Sequence, residues 1–167
     1  IASQRIDRPM KFLCTGKADS SPHQHEIKKL IEQYELKDKI KFVGYLNEEE
    51  LKNVLNKATF FIINKYPTMQ NKYCFATKLG EYLAMGKVVI TTKCGEVVNW
   101  LHHKEDVYFV APCDTDELTN AIVEIVTDTK LRAIIEKNAR KTCEKSFAYK
   151  NYSHVLSEFL TSLSQKQ

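Results

Sequence analysis

Apolar residues along this chain alternate between two patterns. Short runs rich in β-branched and aromatic residues read as strands at Met10 to Gly16, Ile40 to Tyr45, Thr59 to Ile63, Val88 to Thr91 and Val107 to Val110. Between them, apolar residues return at helical spacing with charged residues on the opposite face. Ile27, Leu30, Ile31 and Tyr34 do so in a helix that Pro22 opens and that covers Glu26 to Leu36. Asn47 precedes Glu48, Glu49 and Glu50, which predicts an N-cap and an acidic first turn for a helix running to about Lys57. Further helices are predicted for Thr77 to Met85, stopped at Gly86, and for Gly95 to about His103. Three more close the chain, at Asp114 to Thr127, Lys130 to Lys145 and Ala148 to Leu163. In the last of these Tyr152, Val155, Leu156 and Phe159 form an apolar stripe that needs cover.

Strands separated by single helices make βαβ units, which close right-handedly into a mostly parallel sheet. The fold expected is therefore α/β, a Rossmann-like parallel sheet flanked by helices on both faces. Ligands of such sheets bind beyond the carboxyl ends of the strands, here the loops after Gly16, Tyr45, Ile63 and Thr91. The least regular stretch, Asn64 to Phe75, is long for a loop in a compact domain, and such loops often carry function.

With 167 residues, 43% of them hydrophobic, the chain is long enough for one sizeable core, so one domain over 1–167 is the default. It starts at Ile1 with no basic-then-apolar leader and no run long enough to span a membrane, and it reads as a fragment of a longer cytoplasmic chain. Five cysteines, scattered and without a C-x-x-C pair, indicate reduced thiols rather than a disulfide framework or a zinc site. The net charge of +4 is spread along helices where Lys alternates with Glu and Asp. That mild basicity suits an anionic small ligand or a membrane surface and argues against nucleic acid as a partner.

The segment TKLGEYLAMGKVVI, residues 77–90, combines a helix start, a Gly stop and a buried strand, and it places Glu81 on an otherwise apolar helix. Glu81 reads either as a ligand-binding carboxylate or as an exposed i,i+3 ion pair with Lys78. Tyr73 and Phe75 read equally as loop anchors or as ligand contacts. His23, His25, His102 and His103 lack the Cys or carboxylate partners of a metal site. Val97, Val98, Trp100 and Leu101 read as a core-facing stripe, and Cys14 and Cys94 as inert thiols on or beside strands.

This order of elements resembles the nucleotide-sugar-binding C-terminal domain of GT-B glycosyltransferases of the glycosyl transferases group 1 (GT4) family, over nearly the whole chain. The family's V-x-F-x-G strand is matched by IKFVG at 40–44, its acidic helix start by Asn47 to Leu51, and its Ala-Asp strand start by Ala58 and Thr59. Its signature E-x7-E-A-M-A-x-G-x-P-V-I is matched by Glu81 at the second Glu, by Gly86, and by Val89 and Ile90. The context TKLGEY further resembles a subgroup with P-T-K-L-x-E-Y.

The resemblance implies a retaining enzyme that moves a sugar from a nucleoside diphosphate donor to a glycan or lipid-linked acceptor, with surface polysaccharide assembly as its setting. No cofactor or metal is implied, and the location is the cytoplasm or the inner face of the membrane. Glu81 would bind the donor ribose, since a carboxylate accepts from two neighbouring hydroxyls at once. The amides of Ala76, Thr77, Lys78 and Leu79, at the positive end of a helix, would hold the diphosphate, with the Lys78 side chain adding charge. Gly16, Tyr45 and Leu46 would contact the base or its loops. Tyr73 stands where the family's first Glu meets the sugar, and Glu96 replaces the second Gly of the S/T-x-x-G-G loop. The family's Gly-Arg…Lys-Gly segment and its N-terminal acceptor domain have no counterpart in these residues. The fragment alone is therefore expected to be inactive, as the donor-binding half of the enzyme lacking its first strand. A non-catalytic nucleotide- or partner-binding module is the alternative, and a sugar-nucleotide epimerase a more distant one.

Overall fold

The computed structural model describes residues 2–16 and 22–164. The loop after Gly16, one of the four expected to carry function, falls largely on residues 17–21, outside the described residues, as does Ile1. Tertiary contacts divide the chain into a first unit, essentially residues 3–58, and a second from Thr59 onward.

After a short helix α1 (Ala2–Arg5), the first unit runs β1 (Phe12–Thr15), α2 (Gln24–Gln33), β2 (Ile40–Gly44), α3 (Glu48–Lys57). β1 and β2 pair in parallel, Phe12 opposite Ile40, and the register slips between Cys14 and Thr15 so that Thr15 faces Gly44. Gly16 and Gly44 close the ladder by exchanging N–H to O bonds of 2.8 and 3.2 Å. Both hold positive φ, +103° and +73°, which side-chain-bearing residues resist. α3 begins as its sequence predicts: Asn47 Oδ1 accepts from the Glu50 amide, and Glu50 Oε2 accepts from the Asn47 amide, each at 2.9 Å.

The second unit holds a three-stranded parallel sheet in the order β3 (Phe60–Ile63), β4 (Val88–Thr92), β5 (Tyr108–Val110). Phe60 pairs with Val88, and Ile90 with Tyr108. Every residue of β4 is buried, so side chains on both faces of this strand are covered. Val89, Phe109 and Val107 join Leu79, Leu83, Val97, Leu101, Ala139 and Cys143 in one apolar cluster. The helices are α4 (Met69–Lys72), α5 (Thr77–Ala84), α6 (Thr115–Thr127), α7 (Thr129–Ser146) and α8 (Ser153–Ser164). Asp114 and Asp128 cap α6 and α7 by accepting first-turn amides. Among the described residues no helix is long and apolar enough to cross a membrane.

Three stretches differ from the sequence reading. The irregular loop contains a single helical turn, α4, because Thr68 Oγ1 accepts the Asn71 amide at 3.2 Å. The helix expected from Gly95 to His103 is only a 3₁₀ turn at Glu96–Asn99. Gly95, at φ +80° and ψ −164°, starts outside helical space, and Asp106 Oδ1 draws off the His102 amide at 2.7 Å. Consequently Val97 and Leu101 reach the core while Val98 and Trp100 stay largely exposed, contrary to the four-residue stripe expected. Finally, every residue of α8 is exposed, including Val155, Leu156 and Phe159, so the apolar stripe expected to need cover is not buried among the described residues.

Lys104 and Tyr108 tie the approach to β5 onto α6: both bond to the Glu124 carboxylate at 2.6 Å. Beside them His103 Nδ1 accepts the Phe109 amide at 3.1 Å, a role open only to an unprotonated Nδ1. Burial, with Lys104 nearby, lowers the His103 pKa below its ordinary 6.5, against the opposing pull of Glu117 and Glu124. Folded His103 thus resists a proton that the unfolded chain takes up. Its contribution to stability is present above about pH 6.5 and is lost as pH falls through the folded value. The urea midpoint is expected to fall as pH drops from about 7 to about 5.5, and less steeply in His103→Gln; identical slopes would contradict this account.

Two glycines give a contrast in sign. A Cβ on Gly95 would lie 2.5 Å from the Asn71 carbonyl oxygen and 2.9 Å from that of Cys74, at a φ already unfavourable for alanine. A Cβ on Gly80, inside α5, would meet nothing within 4 Å. Gly95→Ala should cost about 1–3 kcal/mol of unfolding free energy. Gly80→Ala should add about 1 kcal/mol through helix propensity, so denaturant titration of the pair reads opposite shifts.

Candidate functional site

At the carboxyl ends of β3 and β4 the chain folds two loops against each other. The Lys65 amide donates to Thr92 Oγ1 at 3.0 Å, joining the residue that follows β3 to the buried end of β4. Tyr66 O accepts from Asn71 Nδ2 at 2.8 Å and from the Cys94 thiol at 3.9 Å. Gly95 presses its backbone onto the Asn71 and Cys74 carbonyls, a contact that leaves no room for a side chain. The first of these loops leads through α4 into α5.

α5 is held on its inner side by Leu79 and Leu83, four residues apart and wholly buried. Tyr82 stacks on Phe61 of β3, ring centroids 3.8 Å apart, and burial followed by the nearby Glu81 charge raises its phenol pKa. Behind the helix the Cys143 thiol of α7 donates to Gly80 O at 3.5 Å, and burial raises that thiol's pKa as well. The inner face of α5 is thus fixed by packing, and its outer face is free for ligand.

Its N-terminus is left open. Ala76, the N-cap, has no side chain able to accept an amide, and among the described residues no acceptor meets the amides of Ala76, Thr77 or Lys78. Leu79 departs from expectation: its amide already donates to Ala76 O at 2.8 Å and its side chain lies in the core, so it anchors the helix instead of offering a donor. On the outer face Lys78 and Glu81 are both exposed, and among the described residues no ion pair joins them. The structure does not form the i,i+3 pair of Glu81 with Lys78, and among the described residues the Glu81 carboxylate has no side-chain partner.

Tyr73 is 68% exposed, with the Lys72 ammonium 5.5 Å from its ring centroid. Phe75, by contrast, is a core anchor, 5.3 Å from the ring of Phe147. Glu96 Oε2 accepts from Asn99 Nδ2 at 3.2 Å within its own turn. Gly16, Tyr45 and Leu46 belong to the first unit. A Cβ at Gly16 would meet nothing within 4 Å, Tyr45 is 81% exposed and Leu46 is half-buried. Burial raises the Cys14 thiol pKa there. Among the described residues no three His, Cys, Asp or Glu side chains gather as a metal site. The sequence reading missed Lys65 and took Thr92 only as the start of the S/T-x-x-G-G match; the signal of each is that it sits at or just beyond the carboxyl end of a strand.

Comparison with known proteins bears on this geometry. A family model described as glycosyl transferases group 1 matches residues 3–142. An uncharacterized glycosyltransferase of Methanocaldococcus jannaschii is 21% identical over 141 residues, covering 84% of this chain and 34% of its own length. Among solved structures, Anabaena HepE in complex with UDP-glucose superposes with a TM-score of 0.80 at 20% identity, covering 96% of this chain and 43% of that one. A glycosyltransferase from Rickettsia africae gives 0.81 at 22%, covering 99% and 43%, and sucrose-phosphate synthase from Thermosynechococcus elongatus 0.78 at 22%, covering 99% and 41%. The chain spans about a third of the curated relative and under half of these solved chains. The structural likeness gives the fold, that of GT-B glycosyltransferase C-terminal domains. With the family model matched over most of its length, this chain belongs to the glycosyl transferases group 1 family.

Proposed function

We propose that this chain is the donor-binding half of a retaining glycosyltransferase, which passes a sugar from a nucleoside diphosphate to a glycan or lipid-linked acceptor in surface polysaccharide assembly. The observation that carries the reading is the Glu81 carboxylate, without an ion-pair partner among the described residues, one turn along a helix whose first amides meet no acceptor among them. At 1.5 Å rise per residue, Lys78 and Glu81 are separated by about 4.5 Å along the axis, a spacing suited to a sugar joined to a phosphate. Glu81 accepts the two ribose hydroxyls, while the amides of Ala76, Thr77 and Lys78 and the Lys78 ammonium take the diphosphate.

The bond that breaks leaves negative charge on the diphosphate. Amides fixed by the helix meet that charge without reorganising, which is the form of stabilisation worth most in a transition state. In this reading they and lysine, rather than a metal, carry the leaving group. UDP-glucose bound to HepE, a protein of the same fold, supports the choice of donor class. The acceptor is assigned to a part of the whole protein outside this chain. Tyr73 at the position of the family's first Glu favours one second reading, a module that binds nucleotide without transferring sugar, because a phenol supplies no negative charge beside an oxocarbenium-like centre.

Calorimetric titration of the chain with UDP, GDP and ADP and their common sugar conjugates tests the proposal. One base is expected to be selected, with affinity about tenfold or more lower in Glu81→Gln. Equal affinity in the two proteins would remove the ribose role. The module reading is separated by sugar transfer in the full-length protein, which it predicts to be absent while nucleotide binding persists.

A further inference from the structure

Lys65 is a half-buried cation in the loop that follows β3, and no carboxylate pairs with it among the described residues. Its ammonium lies 3.8 Å from Cys74 Sγ, a weak acceptor, and Cys74 stands two residues before the N-cap of α5. Taking an ammonium partly out of water without a strong acceptor is unfavourable, so the position has capacity for an anion that the protein does not itself supply. The Lys65 backbone is fixed at the same time by its bond to Thr92, which is 2% exposed.

The surroundings have the same sign. Residues 64–84, which are the loop after β3 with α5, and residues 93–99 after β4 carry Lys65, Lys72, Lys78 and Lys93 against Glu81 and Glu96. Glu96 already accepts from Asn99. After β5, Asp114 Oδ1 accepts the Glu117 amide and Glu117 Oε2 the Ala111 amide, so these two carboxylates are held at the start of α6. Next to the start of α5, within residues 64–84 and 93–99, lysines therefore outnumber carboxylates by four to two.

We propose that Lys65 binds the diphosphate of the donor, its ammonium exchanging the Cys74 thiol for a phosphate oxygen. This rests on the donor-site reading above. It gives the leaving group a mobile point charge in addition to the fixed amides of α5. Lysine suits that task because its ammonium bonds phosphate from many directions.

The test measures binding of uridine, guanosine and adenosine and of UDP, GDP and ADP to the wild-type chain, Lys65→Met, Lys65→Arg and Glu81→Gln, at two salt concentrations. Methionine keeps most of the apolar stem, and thermal unfolding checks that each variant folds. Lys65→Met is expected to bind the selected diphosphate about ten- to a hundredfold more weakly, with a shallower salt dependence and unchanged affinity for the nucleoside. Lys65→Arg should stay within a few-fold of wild type, while Glu81→Gln weakens nucleoside and diphosphate together. Unchanged diphosphate affinity in Lys65→Met, or equal losses for nucleoside and diphosphate, would overturn the role of Lys65 and leave the donor site standing. A wild-type chain that binds none of the six compounds would overturn both.

Discussion

Burial of Leu79 and Leu83 against β4 is the constraint on which the site depends. Two leucines four residues apart fix the rotation of α5 about its axis, because turning the helix would expose one or both. Once rotation is fixed, Lys78 and Glu81 must look outward and Gly80 must look toward α7, where its carbonyl accepts from Cys143. A core interaction thus decides which polar groups of a short helix are offered to a ligand. The stack of Tyr82 on Phe61 reinforces it from the side of β3.

The position of the helix start follows from a second constraint, the contact of Gly95 with the Asn71 and Cys74 carbonyls. Because that backbone approach holds the segment before α5, the first-turn amides do not need a side-chain cap to be placed. Ala76 can therefore occupy the N-cap, where Ser, Thr, Asp or Asn would ordinarily add about 1 kcal/mol of stability. Such a side chain would also occupy the amides that an anion uses. Two other helices of this unit show the contrast: Asp114 accepts one first-turn amide of α6, and Asp128 accepts two of α7. In the proposed reading, the missing cap of α5 leaves its first amides to the donor diphosphate.

Much of this was legible in the sequence. Periodicity located the five strands, and Asn47 with its acidic turn marked α3, since those signals are local and the structure satisfies them locally. Glu81 stood out because a lone carboxylate on an apolar helix conflicts with plain packing. What escaped depended on contacts distant in sequence. The chain leaves helical geometry after Asn99 because Asp106 takes the His102 amide, which no pattern at 96–103 announces. Leu79 was credited with an open amide, whereas the tight first turn of α5 closes it onto Ala76. Nothing in the sequence marks Lys65, whose half-burial beside Cys74 arises only when β3 and α5 are brought side by side.

The same helix is asked to favour an anion at its start and to carry an anion of its own one turn later, and these demands oppose each other. At about 5 Å, two unit charges repel by about 3 kcal/mol at an effective dielectric of 20, more than the helix N-terminus alone usually returns. Neutral amides cannot cancel a diphosphate's charge; they only orient dipoles toward it. Cations near the start of α5 are therefore a condition for Glu81 and a bound diphosphate to coexist, not an addition to an already sufficient site. Lys78 lies on the exposed surface, where solvent and salt screen it. Lys65, half-buried and held beside Cys74, is the cation that the proposal above sets against the phosphates.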